Sequence, residues 1–281
     1  MSADVAADVE KYLRILKQAL DFVPTYPIIG YLLAGSCALA SPWLLLTVFR
    51  SGGPSRSWLA MVLGIVLAAT IARLTLLQQQ NLFVWHVIGM SIAVFALQPA
   101  ALHSVLAQKS FATKKDRECR VWAHKILQTS ACGCMGAALA AIYLNKPAGF
   151  PGKHFMSIHS LVGLAAIGLM VANMLQAAFM QGSPFKPKLQ WKSWLHRFLG
   201  TSAFVLSFAA AVLGFYNRTA VVDWAASPIK FSLPETWSTM AGWSFDLHGM
   251  KWTWVFIGSA VCILLLLLDP GFTPKPRKAN K

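Results

Sequence analysis

The chain has 281 residues, 56% of them hydrophobic and 12% charged, and an ordinary soluble domain carries about twice that charged fraction. This excludes a water-soluble globular protein, an intrinsically disordered chain, a disulfide-stapled secreted fold and a collagen-like fibre, and leaves an integral membrane protein. Its 25 Lys and Arg against 10 Asp and Glu give a formal charge of +15, which in a membrane protein reads as orientation by basic loops; no nucleic-acid partner is expected.

The first element is amphipathic. Val9, Leu13, Leu16, Leu20 and Val23 recur at helical spacing with Glu10, Lys11, Arg14, Lys17 and Asp21 between them, which suits a helix on the membrane surface or against a partner. Seven apolar stretches near the length a bilayer requires, about 20 residues, follow at 27–49, 58–77, 82–107, 121–144, 155–180, 195–216 and 252–269. The linkers are short except 217–251, which is rich in Trp, Ser and Pro and reads as an ordered extramembrane cap. If all seven stretches cross, fourteen loop and tail cations fall on one face and eight on the other. The more basic face is the cytoplasmic or equivalent one, called inner below, and the N-terminus lies outside. Cys37, Cys119, Cys132, Cys134 and Cys262 lack the spacing of a zinc site and read as packing residues.

Four histidines share a placement. His86, His124, His159 and His196 each lie near the start of one of four successive apolar stretches, and ionisable groups inside a membrane are costly and by default functional. Alternating topology puts His86 and His159 at the outer depth and groups His124 with His196 at the inner depth. Two pairs, each from two helices, are what two stacked bis-histidine b-type haems require, and two axial imidazoles favour electron transfer over oxygen chemistry. Zinc would want further ligands at the same depth, and a proton relay would want intramembrane acids, which the first six stretches lack. Gly89, Gly163 and Gly200 follow three of these histidines by three or four residues; they either let a porphyrin approach the backbone or serve ordinary helix packing.

The other candidates are looser. His103, 17 residues after His86, would permit a two-helix, two-haem arrangement, but no second histidine follows His159 within its stretch to match it. It reads instead as an inner-end residue near a substrate or simply hydrogen-bonded. His154 and His248 are candidates for an outer substrate site. Arg73 should lie toward the outer end of its stretch, paired with a haem propionate or reaching the headgroups. Arg117, Arg120, Lys125, Lys192 and Arg197 surround the inner ends of the fourth and sixth stretches and suit an anionic reductant and haem propionates.

The intervals between the four histidines, with FVWHVIGMS around His86, RVWAHKILQ around His124, HFMSIHSLVG around His159 and WLHRFLG around His196, resemble the eukaryotic cytochrome b561 family of transmembrane ascorbate-dependent oxidoreductases. The resemblance covers roughly 58–269. It implies an all-α polytopic bundle of six core helices with two b-type haems in the pairing above, ascorbate or a similar small anion as inner donor, and monodehydroascorbate or ferric chelates as outer acceptor. It also implies a homodimer. The chain divides accordingly into an amphipathic segment and additional transmembrane helix (1–57), a dihaem core (58–269) and a basic tail (270–281). The position three before His124, basic in ascorbate-using members, is Val121, with Arg120 adjacent. The additions at 1–57 and 217–251 would suit docking in a larger membrane complex, such as that of the mitochondrial inner membrane. A haem-bearing accessory subunit is therefore the second reading, and a haem-free transporter the third.

Overall fold

The computed structural model describes residues 27–49, 55–78, 82–106, 113–145, 157–180, 193–219 and 252–268. The amphipathic stretch 9–23, nearly all of 217–251, the basic tail, His154, Lys192 and His248 lie outside them. The described residues contain helices and no strand: α1 (Pro27–Phe49), α2 (Arg56–Gln78), α3 (Leu82–Leu106), α4 (Lys114–Leu144), α5 (Ile158–Met180), α6 (Trp194–Thr219) and α7 (Trp252–Leu268). Six of them are long and apolar enough to cross a membrane, while α7 is shorter at 17 residues, or about 26 Å of rise against a hydrocarbon core of about 30 Å. The protein is a multi-pass helical membrane bundle.

Packing orders the helices into a ring. α3 lies between α2 and α4, α5 packs chiefly along α6, and α7 closes the ring by touching both α6 and α2. α1 stands outside it, against α4. Its Ser36 sits where a side chain on Gly133 would have to go, and Cys37 meets Cys134 through their thiols, so two of the cysteines read as packing residues pack on each other. The α3–α4 and α5–α6 hairpins touch only sparsely on the α4–α5 side. Their centre is filled by rings: Phe95 of α3 meets Phe208 and Phe215 of α6 at 5.4 and 6.1 Å, and Phe215 meets Phe256 of α7 at 5.3 Å.

Two local features were not expected. The fourth apolar stretch is only the outer, C-terminal part of a longer helix: α4 begins at Lys114, where the Thr113 hydroxyl accepts from the Asp116 amide at 3.1 Å as an N-cap. Its first turns are charged, so they stand beyond the apolar span. The second feature is a π-helical segment inside α3, Ile92–Leu97, in which the Gln98 amide donates to the Ala93 carbonyl. The cause is Pro99. Proline has no N–H for the carbonyl four residues back and its ring crowds that carbonyl, which here belongs to Phe95. The Gly64 backbone of α2 lies against the same carbonyl, so closely that a side chain on Gly64 would overlap it.

Candidate functional site

His86, on the second turn of α3, faces His159 at the start of α5. Their ring centroids are 6.3 Å apart and the planes are perpendicular, at 89°. A carbonyl oxygen can only accept, so an imidazole nitrogen beside one must carry the proton. His86 Nδ1 donates to the Ala138 carbonyl of α4 at 3.1 Å, and His159 Nδ1 to the Ala210 carbonyl of α6 at 2.7 Å. Each bond fixes the tautomer whose lone pair is on Nε2. Gly214, one turn beyond Ala210, leaves room for the His159 ring; a Cβ there would sit 3.0 Å from its Cε1.

The inner pair repeats part of this arrangement. His124 Nδ1 donates to the Ala101 carbonyl of α3 at 2.9 Å, so α3 and α4 exchange bonds: each supplies a carbonyl to the other's histidine. His124 and His196 line one cavity of about 550 Å³, with Gln98, Lys125, Asn173 and Arg197 among the polar groups on its wall. His196 differs, because its Nδ1 is buried without a hydrogen-bond partner among the described residues. The two depths are well separated. His124 and Ala138, which bonds His86, are fourteen residues apart on α4, roughly 21 Å along the axis.

The remaining predicted residues are distributed as follows. Arg73 is exposed near the α2 end that adjoins the start of α3. Arg120 is half-buried one turn before His124, and Arg197 is exposed at the cavity mouth. Lys125 lies over the Trp122 ring at 5.0 Å. His103 is 0% exposed and sits against α2, with its Nδ1 2.8 Å from Ser57 Oγ; it lies on the side of α3 away from the cavity. Gly89 abuts Ala138 and the Cys134 carbonyl, which is ordinary helix packing. Gly200 lines the inner cavity. His124 is ten residues into α4, so it marks the start of the apolar span, not of the helix. Gln98, Asn173 and Gly214 were not singled out from the sequence; the first two are polar amides within apolar stretches, and that signal was there to be read.

The donor chemistry fits haem. Metal-bound histidines nearly always donate their other ring N–H to a carbonyl, carboxylate or water, and three of these four do so to backbone carbonyls. The 6.3 Å between the outer ring centroids would accommodate two metal–nitrogen bonds of about 2 Å. Among the described residues no group of three or more His, Cys, Asp or Glu could hold a metal ion by itself.

Helices of bilayer length with half-buried imidazoles gathered near both ends define an integral membrane protein whose histidines offer the donor chemistry of a metal cofactor. Residues 85–221, which run from α3 through α6, match the family described as eukaryotic cytochrome b561. That match implies haem b, electron transport and oxidoreductase chemistry in a membrane. Neither curated proteins nor solved structures gave a match.

Proposed function

We propose that the chain holds two b-type haems, one between His86 and His159 and one between His124 and His196, and passes single electrons from the inner to the outer face. When bound, haem iron would supply a reversible one-electron couple, and the histidine pairs would hold it. The side chains do the rest. The backbone carbonyls of Ala138, Ala210 and Ala101 hold three rings in the tautomer with Nε2 unprotonated. Lys125 and Arg197 at the cavity, with Arg120 one turn away and Lys192 from the preceding loop, attract ascorbate or another small anionic reductant. Arg73 serves the outer haem, and His154 the outer acceptor, monodehydroascorbate or a ferric chelate. Residues 58–269 form the dihaem unit; 1–57 and 270–281 are additions to it.

The observation that carries this reading is the 6.3 Å perpendicular stacking of His86 and His159. Its test is spectroscopic. The purified protein should contain two haems per chain, and His159→Ala should retain one; a variant that keeps both, or wild-type protein without a Soret band, refutes the pairing.

One observation favours the second reading, an accessory subunit fed by a neighbouring protein. Val121 is buried on the inner cavity wall, at the position where the resemblance expects a basic residue for ascorbate. Failure of ascorbate to reduce the haems, with co-purification of a large complex, would decide for the subunit.

A further inference from the structure

A buried amide oxygen without a hydrogen bond costs about 1–3 kcal/mol, and hydrocarbon offers no water to relieve it. Gln98 of α3 carries that burden. Its side chain is 2% exposed, its Nε2 reaches only the Met170 sulfur at 3.6 Å, and its Oε1 has no partner among the described residues. Asn173 of α5 repeats the pattern, with a buried Oδ1 that is likewise unpartnered. Gly200 of α6 makes room for the Asn173 amide, since a Cβ there would lie 3.0 Å from its Nδ2. Both residues line the cavity that holds His124 and His196.

The helix register puts Gln98 there. An α-helix turns about 100° per residue, and a π turn absorbs about one residue. The twelve steps from His86 to Gln98 therefore count as about eleven, and the two side chains leave α3 roughly 20° apart instead of 120°. A purely packing role at position 98 would be met by Leu or Met, with no amide oxygen left unpaired in the core.

We propose that Gln98 and Asn173 are positioning residues whose amide oxygens lower the reduction potential of the inner haem. The proposal rests on the dihaem reading above. An amide oxygen is the negative end of a dipole, and in a low-dielectric site it favours the more positive, oxidised state of the group beside it. The amides exchange neither electron nor proton: one electron enters from the inner donor and one leaves toward the outer site. Lowering the inner potential makes that second transfer more favourable, so these two amides bias electron flow outward.

The test is a potentiometric titration of the purified protein, read by α-band absorbance and electron paramagnetic resonance, with the inner component identified by its loss in His196→Ala. Gln98→Met, which keeps length and removes the amide, should raise the inner midpoint and leave the outer one in place. Electron exchange between the haems should shift about tenfold toward reduced inner haem, about 59 mV for a one-electron couple. Asn173→Leu should move the same component in the same direction, and it decides the matter if Gln98→Met does not fold. An inner midpoint that stays or falls, or two midpoints that move together, overturns the proposal and leaves the dihaem reading intact. Retention of both components in His196→Ala overturns the dihaem reading, and the proposal falls with it.

Discussion

Gly214→Ala separates haem binding from folding. A Cβ at this position would lie 3.0 Å from His159 Cε1 and 3.2 Å from Nδ1, closer than ordinary carbon contact, so the ring must yield by a few tenths of an ångström. It is not free to swing, because Nδ1 is tied to the Ala210 carbonyl at 2.7 Å. Disturbing the outer hydrogen bond of a metal-bound histidine typically weakens metal binding 10–100-fold; for a shift this small the lower end applies, about tenfold or 1.4 kcal/mol. Alanine is meanwhile the better residue inside a helix by about 0.5–1 kcal/mol, so the fold itself should not weaken. Transfer of haem to excess apomyoglobin would be followed together with thermal unfolding. The outer component should leave roughly tenfold faster, with the inner one unchanged and the melting temperature little changed, because the helix gain offsets most of the weakened binding. Equal release of both components, or no change in either, would refute the contact as the reason glycine stands at 214.

The pairing makes non-additivity predictions: His124→Ala and His196→Ala should each remove the same spectral component, and the double variant should remove nothing more, as haem counting by pyridine haemochrome will show. Gly64→Ala drives a methyl into the Phe95 carbonyl, backbone against backbone, and should lower stability by about 3 kcal/mol or more in thermal melts. Thr113→Ala removes the α4 cap and should cost about 1 kcal/mol with both haems retained. Lys125→Gln with Arg197→Gln should raise KM for an anionic reductant and flatten its salt dependence, leaving the haem spectra in place; an unchanged KM would remove these cations from the donor site.

The spans were legible because length and apolarity alone decide them in lipid, and six of the seven stretches match their helices within about three residues at each end. Which histidines come together was legible too, since alternation fixes which helix ends share a face. The start of α4 was missed because Lys114, Lys115, Arg117 and Arg120 depress hydropathy there, although Thr113 and Asp116 spell a capping motif. Gln98 and Asn173 were passed over because neutral amides do not register in a search for ionisable groups. Gly214 had no local signal: its neighbour, His159, is 55 residues away in the chain and meets it only through packing of α5 on α6.

His103 shows how one backbone irregularity decides a ligand question. By the same counting, its seventeen steps from His86 act as about sixteen and turn it roughly 160° away, onto Ser57 of α2, so it is on the wrong face to share a haem with the other hairpin. If the wide turn sets the faces, then deleting Ala93 from the π segment removes the surplus residue without rotating the rest of α3. Both haems should then remain. Stability should fall by about 3 kcal/mol, because Pro99 now meets regular helix, and Pro99→Ala in the deletion variant should restore it. Inserting one Ala after Ile92 has no such outlet. It turns the inner half of α3 by about 100°, carries Gln98 off the cavity wall and the Ala101 carbonyl away from His124, and should abolish the inner component alone. Loss of the inner haem on deletion, or its retention on insertion, would show that something other than this turn sets the register.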